Sequence, residues 1–157
     1  MDFLKLANQP LKFRLFMFMK LPSAFFSGVR IREADAGHCV VSVPFKWFTQ
    51  NPFRSTYFAC LAMAAEMSTG ILAMAHVYRR SPAVSMLVVG LESNFHKKAT
   101  GKTLFSCEDG AAIKEAVESS TATGESRTVR ARSIGRNEGG EVVAEFFITW
   151  SFKAKSK

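Results

Sequence analysis

The chain has 157 residues, 48% of them apolar and 12% aromatic, which fits one globular domain large enough to bury a good core. Its three cysteines, Cys39, Cys60 and Cys107, show no CxxC spacing and sit in apolar or strand-like context, which argues against a zinc site or a disulfide framework and for a reducing, cytoplasmic compartment. The net charge of +8 comes in small groups (Arg79-Arg80; Lys97, Lys98 and Lys102; Arg127 to Arg136; Lys153 to Lys157) without any RNA- or DNA-binding motif, so no nucleic-acid partner is expected.

The first ten residues, MDFLKLANQP, lack the apolar run and small-residue cleavage site of a signal peptide. Residues 3 to 21 read as a first helical unit in which Leu4, Leu6, Leu11, Leu15, Phe16, Phe18 and Met19 alternate with Lys5, Lys12, Arg14 and Lys20, and Pro10 takes a first turn or marks a kink. Packing on a sheet is its ordinary role. Peripheral contact with a membrane or cover over an acyl tunnel is the functional one. Gly28 to Ala34 and Cys39 to Val43 are short strands joined by the turn at Asp35-Ala36-Gly37.

Between Arg54 and Arg79 lie twenty-four residues rich in Ala, Met and Leu, with Glu66 as the only formal charge. Such a segment is a buried helix, apolar nearly all round. A bilayer span of residues 55–78 is allowed by length, but a central Glu66 costs about 2.5–3.5 kcal/mol on insertion and Ser68, Thr69, Gly70 and His76 add to that. The neighbours of Glu66 on the helix surface are Ala59, Ala62, Met63, Thr69, Gly70, Ala73 and Val77, which offer no cation. Glu66 is therefore either a structural carboxylate paired with an arginine from elsewhere, or a group waiting for a ligand. At the helix start, Asn51 and Ser55 are N-cap candidates, and the first free N–H groups are expected near Thr56, Tyr57 and Phe58, an anion or oxyanion cradle. Phe58 and Glu66 are eight residues apart, about 12 Å along one helix. Only two antiparallel helices across a two-fold axis would bring one cradle to the other copy's Glu66.

After Ser81-Pro82, Val84 to Phe95 reads as a strand with Gly90 as a bulge, and Lys102 to Glu108 as another. Ala111 to Ser119 suits a short helix or a continued strand equally. Glu125 to Ile134 alternates, and after a turn at Asn137 to Gly140 the last strand puts Val142, Ala144, Phe146, Ile148, Trp150 and Phe152 on one face. The order predicts an α+β domain, a long central helix wrapped by an antiparallel sheet.

This pattern resembles the hotdog fold, in particular the phenylacetate-degradation type of acyl-CoA thioesterase, and most closely a thioesterase-like hotdog family of unknown function. Those thioesterases carry an Asn, a His-Gly-Gly at the helix start, and an acidic residue fifteen positions after the Asn. Asn51 and Glu66 keep that spacing, and Tyr57, Phe58 and Ala59 stand in place of His-Gly-Gly. The strand and turn through Ser93-Asn94-Phe95 and Ala99-Thr100-Gly101-Lys102 are similar as well. The resemblance covers roughly residues 25–153, and the chain is expected to divide into an N-terminal amphipathic helix, residues 1–22, and a single hotdog domain, residues 23–157.

The resemblance implies hydrolysis of a medium- or long-chain or aryl acyl-CoA, or another acyl thioester, by a homodimer or a tetramer. Catalysis would fall to Glu66 as base or nucleophile, the Phe58 and Tyr57 N–H groups as oxyanion hole, Thr69 orienting water or Glu66, and Asn51 holding substrate or loop. Ser55, Met63, Arg80, Lys97 and Lys98 would bind substrate, the last three at the coenzyme A phosphates. No metal and no cofactor beyond the coenzyme A of the substrate is implied. A hotdog dehydratase needs a His before the helix, where position 52 is Pro, and His38, His76 and His96 lie elsewhere. A non-catalytic acyl-CoA-binding module is the alternative, because Tyr57-Phe58-Ala59 replaces small glycines.

Overall fold

The computed structural model describes residues 3–155. The N-terminal region is three short helices, α1 (Phe3–Ala7), α2 (Pro10–Lys20) and α3 (Pro22–Ser27), in place of one helix ending at residue 22. Proline is the reason for both breaks. Pro10 and Pro22 each open a helix, where a missing N–H costs nothing, and hold Gln9 and Leu21 out of helical geometry. Gly28 closes α3 with φ 77°, a left-handed cap that glycine adopts without strain.

Strands β1 (Arg30–Ala34) and β2 (Cys39–Val43) form the expected hairpin, whose turn is held by Asp35 Oδ1 accepting the N–H groups of Gly37 and His38. After a 3-10 turn at Trp47–Thr49 comes the long helix α4 (Phe58–Val77). Then follow β3 (Val84–Phe95), β4 (Thr103–Cys107), α5 (Gly110–Thr123), β5 (Arg127–Arg136) and β6 (Val142–Ala154). The undecided stretch near Ala111 is helix, with Ile113, Val117 and Ser120 buried at helical spacing.

All six strands pair antiparallel in the order β1-β2-β4-β5-β6-β3. Helix α4 lies in the concave face, its Leu72, Ala64 and Ala65 fully enclosed with Val41, Phe105, Phe146, Ile148 and Phe152 of the strands. Each large apolar side chain so enclosed contributes ~1.5–3 kcal/mol. Small residues let the helix sit close to β5, where the Ser68 and Ser133 hydroxyls meet at 2.8 Å. By length and composition α4 could cross a membrane, but most of it is buried inside the protein, so its apolarity serves the core. This is the hotdog arrangement.

Two features of β3 matter for the site. Its register against β6 slips between Val88 and Gly90, opposite Trp150 and Thr149. Its other edge has no partner strand among the described residues, yet Leu87, Val89, Leu91 and Phe95 stand exposed along it.

Candidate active site

Helix α4 lines two clefts. At its N-terminus a cleft of ≈620 Å³ gathers Asn51, Ser55, Tyr57, Phe58, Lys97 and Lys98, six of the sequence-predicted residues, together with Leu61, Phe95 and His96. The loop before the helix is built around Asn51, whose Oδ1 accepts the Phe53 N–H at 2.9 Å and both the N–H and hydroxyl of Ser55 at 3.2 Å. Asn51 and Ser55 thus shape the cleft wall, and neither caps the helix, whose N-cap residue is Tyr57.

The free N–H groups lie one step later than the sequence suggests. Thr56 N–H donates to Ala99 O at 2.8 Å and Tyr57 N–H to Thr49 O at 2.7 Å, so neither is available to a ligand. Phe58 and Ala59 open the helix with N–H groups that have no acceptor among the described residues. These two donors, at the positive end of a twenty-residue helix, form the cradle. The Phe58 ring stands beside it, against Tyr57 at 5.1 Å and Phe95 at 6.5 Å between ring centres.

Glu66 lies in a second cleft of ≈350 Å³ with Met63, Met67, Lys20, Leu21, Pro22, Ser23 and Ala24. No hydrogen bond or ion pair reaches its carboxylate from the described residues, and burial pushes its pKa up. Among the described residues no arginine pairs with it, as a structural role would call for. Gly70, one turn on, leaves room for the carboxylate, since a Cβ there would lie 3.1 Å from Glu66 Oε1.

Thr69 does not face the carboxylate. Its hydroxyl donates to the Glu66 backbone carbonyl at 2.9 Å and accepts the indole N–H of Trp150 at 2.8 Å, so it fixes the helix to β6. Arg80 is likewise removed from the cleft, lying beside His76 beyond the C-terminal end of α4. Lys97 Nζ is engaged by Glu141 at 2.6 Å, and Lys98 Nζ donates to Phe53 O at 3.3 Å on the cleft rim. Among the described residues no three His, Cys, Asp or Glu side chains gather as a metal would require.

Residues 12–152 match the model of the family described as Domain of unknown function (DUF4442). The chain belongs to that family. No curated protein matches this DUF4442 member. Among solved structures it is similar to PA5026 of Pseudomonas aeruginosa, described as a "Probable Thioesterase", with TM-score 0.78 and 20% identity over 93% of this chain and 97% of that one. It is also similar to the thioesterase HI1161 of Haemophilus influenzae (TM-score 0.65, 12% identity, 93% and 91% covered). A mutant of the Pseudomonas aeruginosa thioesterase PA1618 gives TM-score 0.68 at 10% identity, with 94% and 96% covered. At these identities the likeness is one of fold.

Sequence reasoning about this DUF4442 chain missed Ala59 as a donor and Gly70 and Trp150 as the shapers of the Glu66 environment. Trp150 carried a signal: an indole on the buried face of a strand needs an acceptor, and a hydroxyl on the core helix is the nearest kind available.

Proposed function

We propose that this protein hydrolyses acyl thioesters, with coenzyme A as the thiol, at a site shared between two copies of the chain. The observation that carries the reading is Glu66, a desolvated carboxylate without a partner on a helix whose N-terminus leaves two N–H groups free in a cleft. Within one copy the two lie about 12 Å apart along the axis. Antiparallel packing of two α4 helices would set one copy's Glu66 against the other's Phe58 and Ala59 N–H groups. The unpaired, apolar edge of β3 supports such an association.

In this reaction the thioester oxygen sits on the Phe58 and Ala59 N–H groups, which stabilise the negative charge that develops when the carbonyl is attacked. Glu66 of the other copy takes a proton from water as the new C–O bond forms. The C–S bond then breaks, and the proton passes from Glu66 to the leaving thiolate. A pKa raised by burial suits a base near neutral pH. Leu61, Phe58 and Phe95 give the cleft an apolar wall fit for a medium- or long-chain or aryl acyl group, and Lys98 on its rim fits a coenzyme A phosphate.

The test is thiol release from acyl-CoAs of increasing chain length, measured for wild type and Glu66→Gln. Turnover that falls by about 10²–10⁴ in the variant supports the assignment. If acyl-CoA raises the Tm of both proteins with no thiol released, the protein is an acyl-CoA-binding module.

A further inference from the structure

We infer that α2, α3 and the Trp47–Thr49 turn form a surface that docks on an anionic lipid bilayer. Helix α2 buries Phe13 and Met17 against the protein, yet its opposite side is also apolar. Leu11, Leu15, Phe18 and Met19 fall at spacings of four, seven and eight residues, on one stripe pointing outward, with Leu11 86% exposed. A surface helix of a globular protein ordinarily turns polar residues outward. The stripe continues onto the neighbouring elements: the Phe18 ring lies 6.3 Å from Phe26, and Phe26 lies 6.4 Å from Phe48. Next to Phe48 stands Trp47, 82% exposed. Two apolar helical faces with an aromatic margin are what an in-plane interfacial helix presents, one face to the protein and one to the acyl boundary.

Charge selects the kind of bilayer. Residues 3–32 contain six Lys and Arg and no Asp or Glu. Lys12 and Arg14 border the stripe on either side, and the Arg14 guanidinium lies 4.5 Å from the Phe25 ring centre. Lys12, Lys20 and Lys46 are exposed and have no carboxylate partner among the described residues. Lysines around an apolar patch keep their heads in the headgroup layer while the stems follow the apolar surface, and each contributes attraction to phosphatidylserine-type lipids. The patch is bordered by positive charge with no acidic residue over residues 3–32, and a second copy would bring the same charge to it, so an anionic lipid surface is its occupant.

The experiment is flotation of the full chain with phosphatidylcholine vesicles, with and without phosphatidylserine, at low and high salt. The protein is expected to float with the mixed vesicles, less with pure phosphatidylcholine, and less again as salt screens the lysines. The doubly substituted Leu11→Ser, Leu15→Ser protein, changed only at exposed positions, is expected to keep the wild-type Tm and to bind at least roughly ten-fold more weakly. Failure to float with mixed vesicles, or flotation equal for wild type and variant, overturns the inference. So does a change of oligomeric state in the variant, which would make the patch a contact between copies. No step depends on thioester turnover.

Discussion

A Cβ at Gly70 would lie 3.1 Å from Glu66 Oε1 and 3.4 Å from Trp150 Cζ2, so the carboxylate occupies space that any other residue at position 70 would contest. Gly70→Ala therefore sets two effects against each other. Helix propensity favours Ala by about 1 kcal/mol, while crowding moves the carboxylate by a few tenths of an ångström. The expected outcome is a Tm close to wild type with kcat reduced about ten-fold or more, because small misplacements of a base are costly. Thermal unfolding and thiol-release kinetics on the same preparation check both parts.

Glu66 also sets a pH dependence of stability. Its folded pKa is raised by burial, so the native state holds the proton at pH values where the unfolded chain has lost it. Stability from this group is full below the unfolded value of roughly 4.3, falls as pH rises through the interval up to the folded pKa, and stays lower above it. Glu66→Gln removes that fall. Urea midpoints from acid to neutral pH should show the variant gaining on the wild type as pH rises, and a constant difference would refute the assignment.

Thr69→Val removes the acceptor of the Trp150 indole N–H while keeping the side-chain volume. A buried donor left without a partner costs ~1–3 kcal/mol. Urea unfolding should register that loss, and Trp150→Phe should cost less in that background than in the wild type, because the indole N–H there has already lost its partner.

On the free β3 edge, Leu87→Lys combined with Val89→Lys places four like charges where two copies would meet. Sedimentation should give a monomer. Because one copy holds its own N–H groups and Glu66 about 12 Å apart along the helix, that monomer should release no thiol although both half-sites are intact.

Much of the frame was legible from local pattern. The apolar run of α4 and the strict alternation of β6 state their burial directly, while the fifteen-residue interval from Asn51 to Glu66 pointed to a site only through the resemblance to a known family. What local pattern left hidden was decided by distant partners. The cradle begins at Phe58 because Ala99 and Thr49 carbonyls take the two preceding N–H groups, and Ala99 is more than forty residues away. Thr69 turns from Glu66 because Trp150, far along the chain, needs its oxygen. The helix of residues 110–123 was ambiguous for another reason: its inward positions are few and small apart from Ile113 and Val117, so its period is faint.

The slip in β3 has a consequence for counting residues. Before it, Met86 and Val88 stand opposite Phe152 and Trp150, on the helix side of the sheet. After it, Leu91, Ser93 and Phe95 stand opposite Ile148, Phe146 and Ala144, so the inward positions change from even to odd numbers. Val89 is the extra residue that makes the change. Losing one codon there would leave Gly90 opposite Thr149 and Leu91 opposite Ile148 in unbroken alternation after Val88, with Leu91, Ser93 and Phe95 still on the helix side. Losing one residue between Leu91 and Phe95 instead would turn the side chains after it to the opposite face.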